Sequence, residues 1–170
     1  MRGVPSDAHP ASAPDELARV LGLTPHPEGG YFREVFRSGL EVHPVDGRGP
    51  RAALTTIEFL LARGDVSRWH QVDSDEVWHF YEGSSLELWT APPDWATVAC
   101  HRLGPLGAGA ARHRTVTAGW WQAARTAGEY SLVGCTVGPG FDFADFRLAA
   151  DLPEVAARVR ASHPETVSLL

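Results

Sequence analysis

Short runs of alternating apolar and polar residues run through this chain, and they predict mostly strands. Tyr31 to Arg37 is the first clear one. Strict alternation puts Tyr31, Arg33, Val35 and Arg37 on one face and Phe32, Glu34 and Phe36 on the other. Ala53 to Leu61 is a second strand, closed by the turn Arg63-Gly64-Asp65. Trp69 to Gln71 reads as a short strand end. Glu76 to Glu82 and Leu86 to Thr90 read as a hairpin across Gly83-Ser84-Ser85. Further strands fall at Thr97 to Leu103, His113 to Val116, Trp121 to Ala124, Tyr130 to Val137 and Asp142 to Leu148. Many short strands at close spacing predict an all-β sandwich or jelly-roll barrel.

Helical spacing is confined to the two ends. Pro14 to Leu21 has a proline suited to a first turn, acidic Asp15 and Glu16 beside it, and Gly22 as a stop. Pro153 to Ala161 places Val155 and Val159 on one face. The expected organisation is a disordered lead over residues 1–13, one domain over 14–165 and a tail over 166–170. A length of 170 residues suits a single core.

Composition narrows the chemistry. Net charge is -6 and no basic run exists, so a nucleic-acid backbone has no evident electrostatic partner. All fifteen positive residues are arginines, which excludes Schiff-base catalysis by a lysine. Cys100 and Cys135 have neither C-x-x-C nor zinc spacing, and two isolated buried thiols are the simpler expectation than a disulfide. The first fourteen residues lack the apolar core of a signal peptide, and no apolar run reaches membrane-spanning length. The chain is therefore expected in the cytoplasm, with no membrane partner.

Reactive residues are densest between Arg68 and His79. The turn Asp73-Ser74-Asp75 separates His70 from Glu76, so the two are expected side by side on neighbouring strands of a hairpin. Parity gives Glu76 the company of Trp78 and Phe80, with Val77, His79 and Tyr81 on the other face. A carboxylate among aromatic rings loses hydration, and its pKa rises unless a cation or donor compensates. That suits a metal ligand or an acid/base group tuned toward neutral pH. The turn Glu28-Gly29-Gly30 reads as structural.

These residues resemble the first cupin motif, G-x5-H-x-H-x3,4-E-x6-G. Gly64, His70, Glu76 and Gly83 keep its spacing, and Val72 stands where the second histidine would be. The second motif, P-x-G-x2-H, is matched by Thr117-Ala118-Gly119-Trp120-Trp121-Gln122, with the proline and histidine replaced. Four segments resemble the Cupin_5 (DUF985) family more closely: His26 to Glu34, His70 with Asp75 to Phe80, Ala118 to Ala124, and Leu132 to Phe143. The resemblance implies a cupin double-stranded β-helix, a jelly-roll barrel with short flanking helices, that pairs as a homodimer. It implies no particular reaction.

Metal-binding cupins usually present three histidines and a glutamate, whereas the corresponding positions here hold His70, Val72, Glu76 and Gln122. The expected cofactor state is none, or one weakly held divalent ion (iron, manganese, nickel or zinc) on His70, Glu76 and Gln122. The leading functional expectation is a small-molecule enzyme of the isomerase, epimerase or cyclase type. Glu76 would be its acid/base group, His70 the partner and Gln122 an orienting group. Tyr31, Arg33, Trp78, Phe80 and Trp121 are the expected ligand contacts, suited to an acidic or ring-shaped molecule. A metal-dependent oxygenase-like cupin and a non-catalytic ligand carrier are the alternatives.

Overall fold

The computed structural model describes residues 13–107 and 109–170, so most of the expected lead lies outside the described residues. Helix α1 (Ala13–Leu21) is the first element of the described residues. The strands follow in order as β1 (Thr24–Pro25), β2 (Tyr31–Arg37), β3 (Glu41–Val42), β4 (Arg51–Ala52), β5 (Thr55–Ala62), β6 (Val66–Val72) and β7 (Asp75–Gly83). After them come β8 (Leu86–Ala91), β9 (Ala99–Leu103), β10 (His113–Val116), β11 (Trp121–Thr126), β12 (Tyr130–Gly138) and β13 (Phe146–Leu148). Helix α2 (Pro153–Ser162) packs last, before a 3-10 turn over Pro164–Leu169.

Two antiparallel sheets face each other. One has the order β1-β2-β5-β12-β7-β10 and the other β13-β6-β11-β8-β9, while β3 and β4 form a separate ribbon. Consecutive strands repeatedly change sheet: β6 is in the second, β7 in the first and β8 in the second again. This is jelly-roll winding, and it corrects two local expectations. Strands β7 and β8 are not a paired hairpin, because the chain crosses between sheets at Ser84-Ser85. His70 and Glu76 are not cross-strand neighbours either; they approach across the interior from opposite sheets.

One end of the interior is packed solid by Phe59, Leu61, Trp78, Phe80, Leu86 and Leu88. The Phe59 and Trp78 rings meet edge to face at 5.9 Å, an arrangement aromatic pairs favour. Outside the second sheet lies a separate apolar layer in which Trp69, Trp95 and Trp121 gather beside Val159 and Leu169. Strand β6 is therefore buried on both faces, with Trp69 outward and His70 inward. The final residues do not form a free tail, since Thr166 and Leu169 are buried. Asp142 to Leu148 begins as a 3-10 turn over Phe143–Asp145 before β13, shorter than the expected strand. Both cysteines are free, Cys135 buried and Cys100 exposed, so burial holds for only one of them. No helix among the described residues is long and apolar enough to cross a membrane.

Candidate acid/base site in the barrel

A cavity of about 270 Å³ occupies the end of the barrel left unfilled by the apolar cluster. Its polar floor carries His26, Glu28, His70 and Glu76. Phe32, Phe141 and Phe143 line its sides, and Glu34, Arg37, Thr55 and Asp142 add to the polar lining.

Glu28 enters from the turn between β1 and β2, not from a strand. Gly29 and Gly30 have φ of 112° and 68°. A Cβ on Gly29 would overlap the Val66 carbonyl oxygen, and one on Gly30 would lie 2.7 Å from the Leu60 carbonyl oxygen. Only glycine allows the turn to press this close to the sheet. The preceding carboxylate is thereby lowered into the interior, where Glu28 is 6 % exposed. Ser67 Oγ donates to Glu28 Oε1 at 2.6 Å. Glu28 Oε2 lies 3.4 Å from His70 Nε2 and 3.5 Å from His26 Nδ1.

The imidazoles have assignable tautomers. His70 Nδ1 is 2.7 Å from the Arg68 carbonyl oxygen, which can only accept. The proton is therefore on Nδ1, and the Nε2 lone pair faces Glu28. His26 Nδ1 accepts the Glu28 backbone N–H at 3.3 Å, which leaves the His26 proton on Nε2. The Phe146 ring stacks on His70 at 5.4 Å and fixes its plane.

Glu76 is held from across the barrel. Gln122 Nε2 donates to Glu76 Oε2 at 2.5 Å, and Gln122 Oε1 accepts from Trp78 Nε1 at 2.9 Å. One amide thus bridges two residues on the same face of β7 and fixes its own orientation, because its two ends cannot be exchanged without losing both bonds. The Cys135 thiol lies beside Glu76 on the cavity lining and helps hold its carboxyl down.

Burial sets the protonation of these groups. It pushes the Glu28 carboxyl up from its ordinary value, against the opposing pull of His26, Ser67 and Arg68. It pushes Glu76 up as well; the Glu28 charge adds to this, while His70, Gln122 and Cys135 oppose it. Burial lowers both imidazoles, with Glu28 opposing at His26 and Glu76 opposing at His70. The Cys135 thiol is driven well above its usual range by burial and by the adjoining carboxylates. Carboxyls raised and imidazoles lowered approach one another in proton affinity, a condition that favours proton exchange among them.

The cation site expected on His70, Glu76 and Gln122 is not assembled as a ligand set, because Gln122 is committed to Glu76 and Trp78. No group of three His, Cys, Asp or Glu among the described residues is arranged to hold a divalent cation. Gln122 has its only ligating oxygen engaged by the Trp78 indole, and Val72 contributes no donor.

His70, Glu76 and Gln122 are brought together, but the expected ligand contacts are not. Strand β2 explains two of them. Glu34 pairs with Ile57 and Phe36 with Thr56, so Val35 is an extra, bulged residue. The cavity takes Phe32, Glu34 and then Arg37, while Tyr31 and Arg33 face away and Arg33 binds Glu58 at 2.9 Å. Alternation places Trp121 outside the second sheet because Gln122 points inward. Trp78 acts on the site through Gln122, and Phe80 lies in the packed core. Sequence reasoning missed Glu28, His26, Ser67 and Cys135. The His-x-Glu spacing just before two glycines was the available signal for the first two.

Comparison with known proteins agrees with this architecture. A hypothetical protein from Leishmania major is 30 % identical over 94 % of this chain and 96 % of its own, with a TM-score of 0.78. A protein from Shewanella oneidensis is 32 % identical over 92 % and 97 % of the two chains, with a TM-score of 0.77. A substituted form of the oxalate decarboxylase of B. subtilis shares the fold alone at 16 % identity and a TM-score of 0.55, over 86 % of this chain and 37 % of that one. A search of the curated proteins finds no match. The family model described as Cupin superfamily (DUF985) matches residues 15–149, and the chain belongs to this family, Cupin_5.

Proposed function

We propose that this cupin is an enzyme that moves a proton on a small molecule held in the barrel, in the manner of an isomerase, epimerase or cyclase. The observation that carries the reading is the meeting of two carboxyls and two imidazoles, all with shielded side chains, on one partly open cavity. Such chemistry needs a base near neutral pKa, an acid close by and restricted water. Glu76, held by Gln122, is the group that takes a proton from one side of the substrate. His70 and Glu28 share a proton between Nε2 and Oε2 and return one from the other side. No net oxidation occurs, and the enzyme regains its starting state when the protons redistribute. Gln122 and Trp78 are positioning residues, since they act through Glu76.

The test follows solvent deuterium. Wild-type protein is incubated in D2O with a panel of small carbonyl compounds, sugars and their amino derivatives, and carbon-bound deuterium is read by NMR. Exchange into one compound, abolished in Glu76→Gln with the fold retained, supports the reading. Exchange that survives in Glu76→Gln, or a wild-type protein that binds panel members and exchanges none, refutes it.

A further inference from the structure

The charges around the cavity say what kind of molecule it holds. Four carboxyl groups line it: Glu28 and Glu76 on the floor, and Glu34 and Asp142 beyond them. Arg37 is the one arginine among the described lining residues, and three of its five N–H donors are engaged, two of them by the Glu34 carboxylate. Its Nε and Nη2 donate to Glu34 at 3.0 and 2.7 Å, and its Nη1 donates to the Phe141 carbonyl oxygen at 3.2 Å. Burial holds both imidazoles toward the neutral form, so they supply little standing positive charge. An acidic ligand would therefore find only a guanidinium already neutralised by Glu34, and its own charge would oppose ionisation of the floor carboxyls.

A cation meets the opposite situation. An ammonium group donates up to three hydrogen bonds, and the floor offers carboxylate acceptors. Phenyl rings of Phe32, Phe141 and Phe143 stand around the same space, and a ring face attracts a cation. From this arrangement we propose that the cavity binds a small organic cation, an amine whose ammonium sits on the Glu28 and Glu76 carboxylates while its apolar body lies among the phenyl rings. This rests on the proton-transfer reading only in using the same cavity, and it replaces the acidic ligand expected from the sequence.

The sign of the pH dependence separates the two ligand classes. Burial holds Glu28 and Glu76 toward the protonated form. Binding of a cation requires them ionised and so releases protons, which makes affinity rise with pH. Groups facing these carboxyls are His26, His70, Ser67, Gln122 and the Cys135 thiol, with Glu34, Arg37 and Asp142 farther out. Neither imidazole becomes more positive as pH rises, so neither reverses the sign.

Three probes of one ring size and different charge provide the test: benzylamine, benzyl alcohol and benzoate, titrated calorimetrically against the full chain between pH 5 and 8. Benzylamine is expected to bind at least about tenfold more tightly than benzoate at pH 8, as charge-assisted hydrogen bonds to a carboxylate imply. Its affinity should increase with pH and its binding heat should vary with buffer because protons are released. Glu28→Gln and Glu76→Gln should each weaken benzylamine by about tenfold more than they weaken benzyl alcohol. Circular dichroism together with retained alcohol binding shows that the variants keep the fold and the cavity. Benzoate binding as well as benzylamine, affinity that falls with rising pH, or no binding of benzylamine at millimolar concentration each overturns the proposal. Amine binding without deuterium exchange would uphold this ligand class while refuting proton-transfer catalysis. Exchange on an acidic compound with no amine binding would do the reverse.

Discussion

Replacing Glu28 by glutamine should stabilise the protein, and increasingly so as pH rises. Glutamine reproduces the shape of protonated Glu28. Its carbonyl oxygen can accept from Ser67 Oγ, as Oε1 does at 2.6 Å. Its NH2 group then stands where Oε2 lies 3.4 Å from the His70 Nε2 lone pair, and donates to it. Wild-type Glu28 has its pKa raised by burial. In the unfolded chain the same residue ionises at its ordinary value, so above that pH the folded state holds the extra proton. Stability therefore falls as pH rises through the window between the unfolded and folded pKa values, then levels off. The slope across that window approaches 1.4 kcal/mol per pH unit, roughly, for one group. Against a total of about 5–15 kcal/mol for an ordinary domain, even one unit of such a window is measurable. The glutamine variant lacks this loss. His26 and His70 charge in the unfolded chain below about pH 6.5 in both proteins, and to first order that contribution cancels in the difference. Urea unfolding followed by tryptophan fluorescence, at half-unit steps from pH 4.5 to 9, gives the difference directly. A stability difference that does not change with pH, or a variant that becomes less stable than wild type at alkaline pH, would refute the claim that Glu28 is held against ionisation by burial.

Other expectations concern the supports of the site. Asp145 is 3 % exposed and takes hydrogen bonds from Arg51 at 2.7 and 2.8 Å and from Arg48 at 2.9 Å. Asp145→Asn should cost about 1–3 kcal/mol in urea unfolding, because Arg51 loses its counter-charge and Arg48 is left with Asp46 alone; an effect within error would show that the clamp is not a structural tie. The Asp145 carboxyl is lowered by the Arg51 hydrogen bonds, so its stabilisation is full above the ordinary aspartate pKa and is lost as pH falls through the folded value. Trp78→Phe removes the indole donor that orients Gln122. It should lower turnover of any substrate found by deuterium exchange while the Glu76→Gln effect shrinks in its background, and additive effects would argue against positioning through Gln122. The outer side of β2 exposes Val35 and Phe36 at 45 and 52 %. If this face is the contact of the homodimer that the family implies, light scattering should give twice 18.4 kDa, and Phe36→Glu should return it to the monomer mass; a wild-type monomer at micromolar concentration would reject the dimer.

Much of the fold was legible because alternation is local. Tyr31–Arg37 and His113–Val116 are strands with the expected bounds, and β7 faces inward through Glu76, Trp78 and Phe80 as parity requires. Sheet membership was not legible, since β7 and β8 look like any hairpin until the crossing between sheets is known. The bulge at Val35 was invisible for a related reason: it moves Arg37 to the cavity side and leaves Arg33 outside, although nothing in the residue types marks the extra position. Tryptophan is equally suited to a ligand wall and a core, and Trp121 proved to belong beneath the C-terminal helix. Glu28 was overlooked because a glutamate beside two glycines reads as solvent-exposed turn. Its burial depends on Val66 and Leu60, distant in sequence, against which those glycines pack.

A raised proton affinity at two glutamates is what the proposed chemistry needs first, and carbon-13 NMR of the side-chain carboxyls measures it. Protein labelled at glutamate is titrated, with Glu28→Gln and Glu76→Gln used to assign the two resonances. Both should titrate above the value of about 4.3 normal for a free glutamate, and Glu76 should move when Glu28 is neutralised, since the Glu28 charge raises it. Two resonances that titrate independently at the ordinary value would mean that these carboxyls are hydrated, and that no tuned acid/base cluster exists in the barrel.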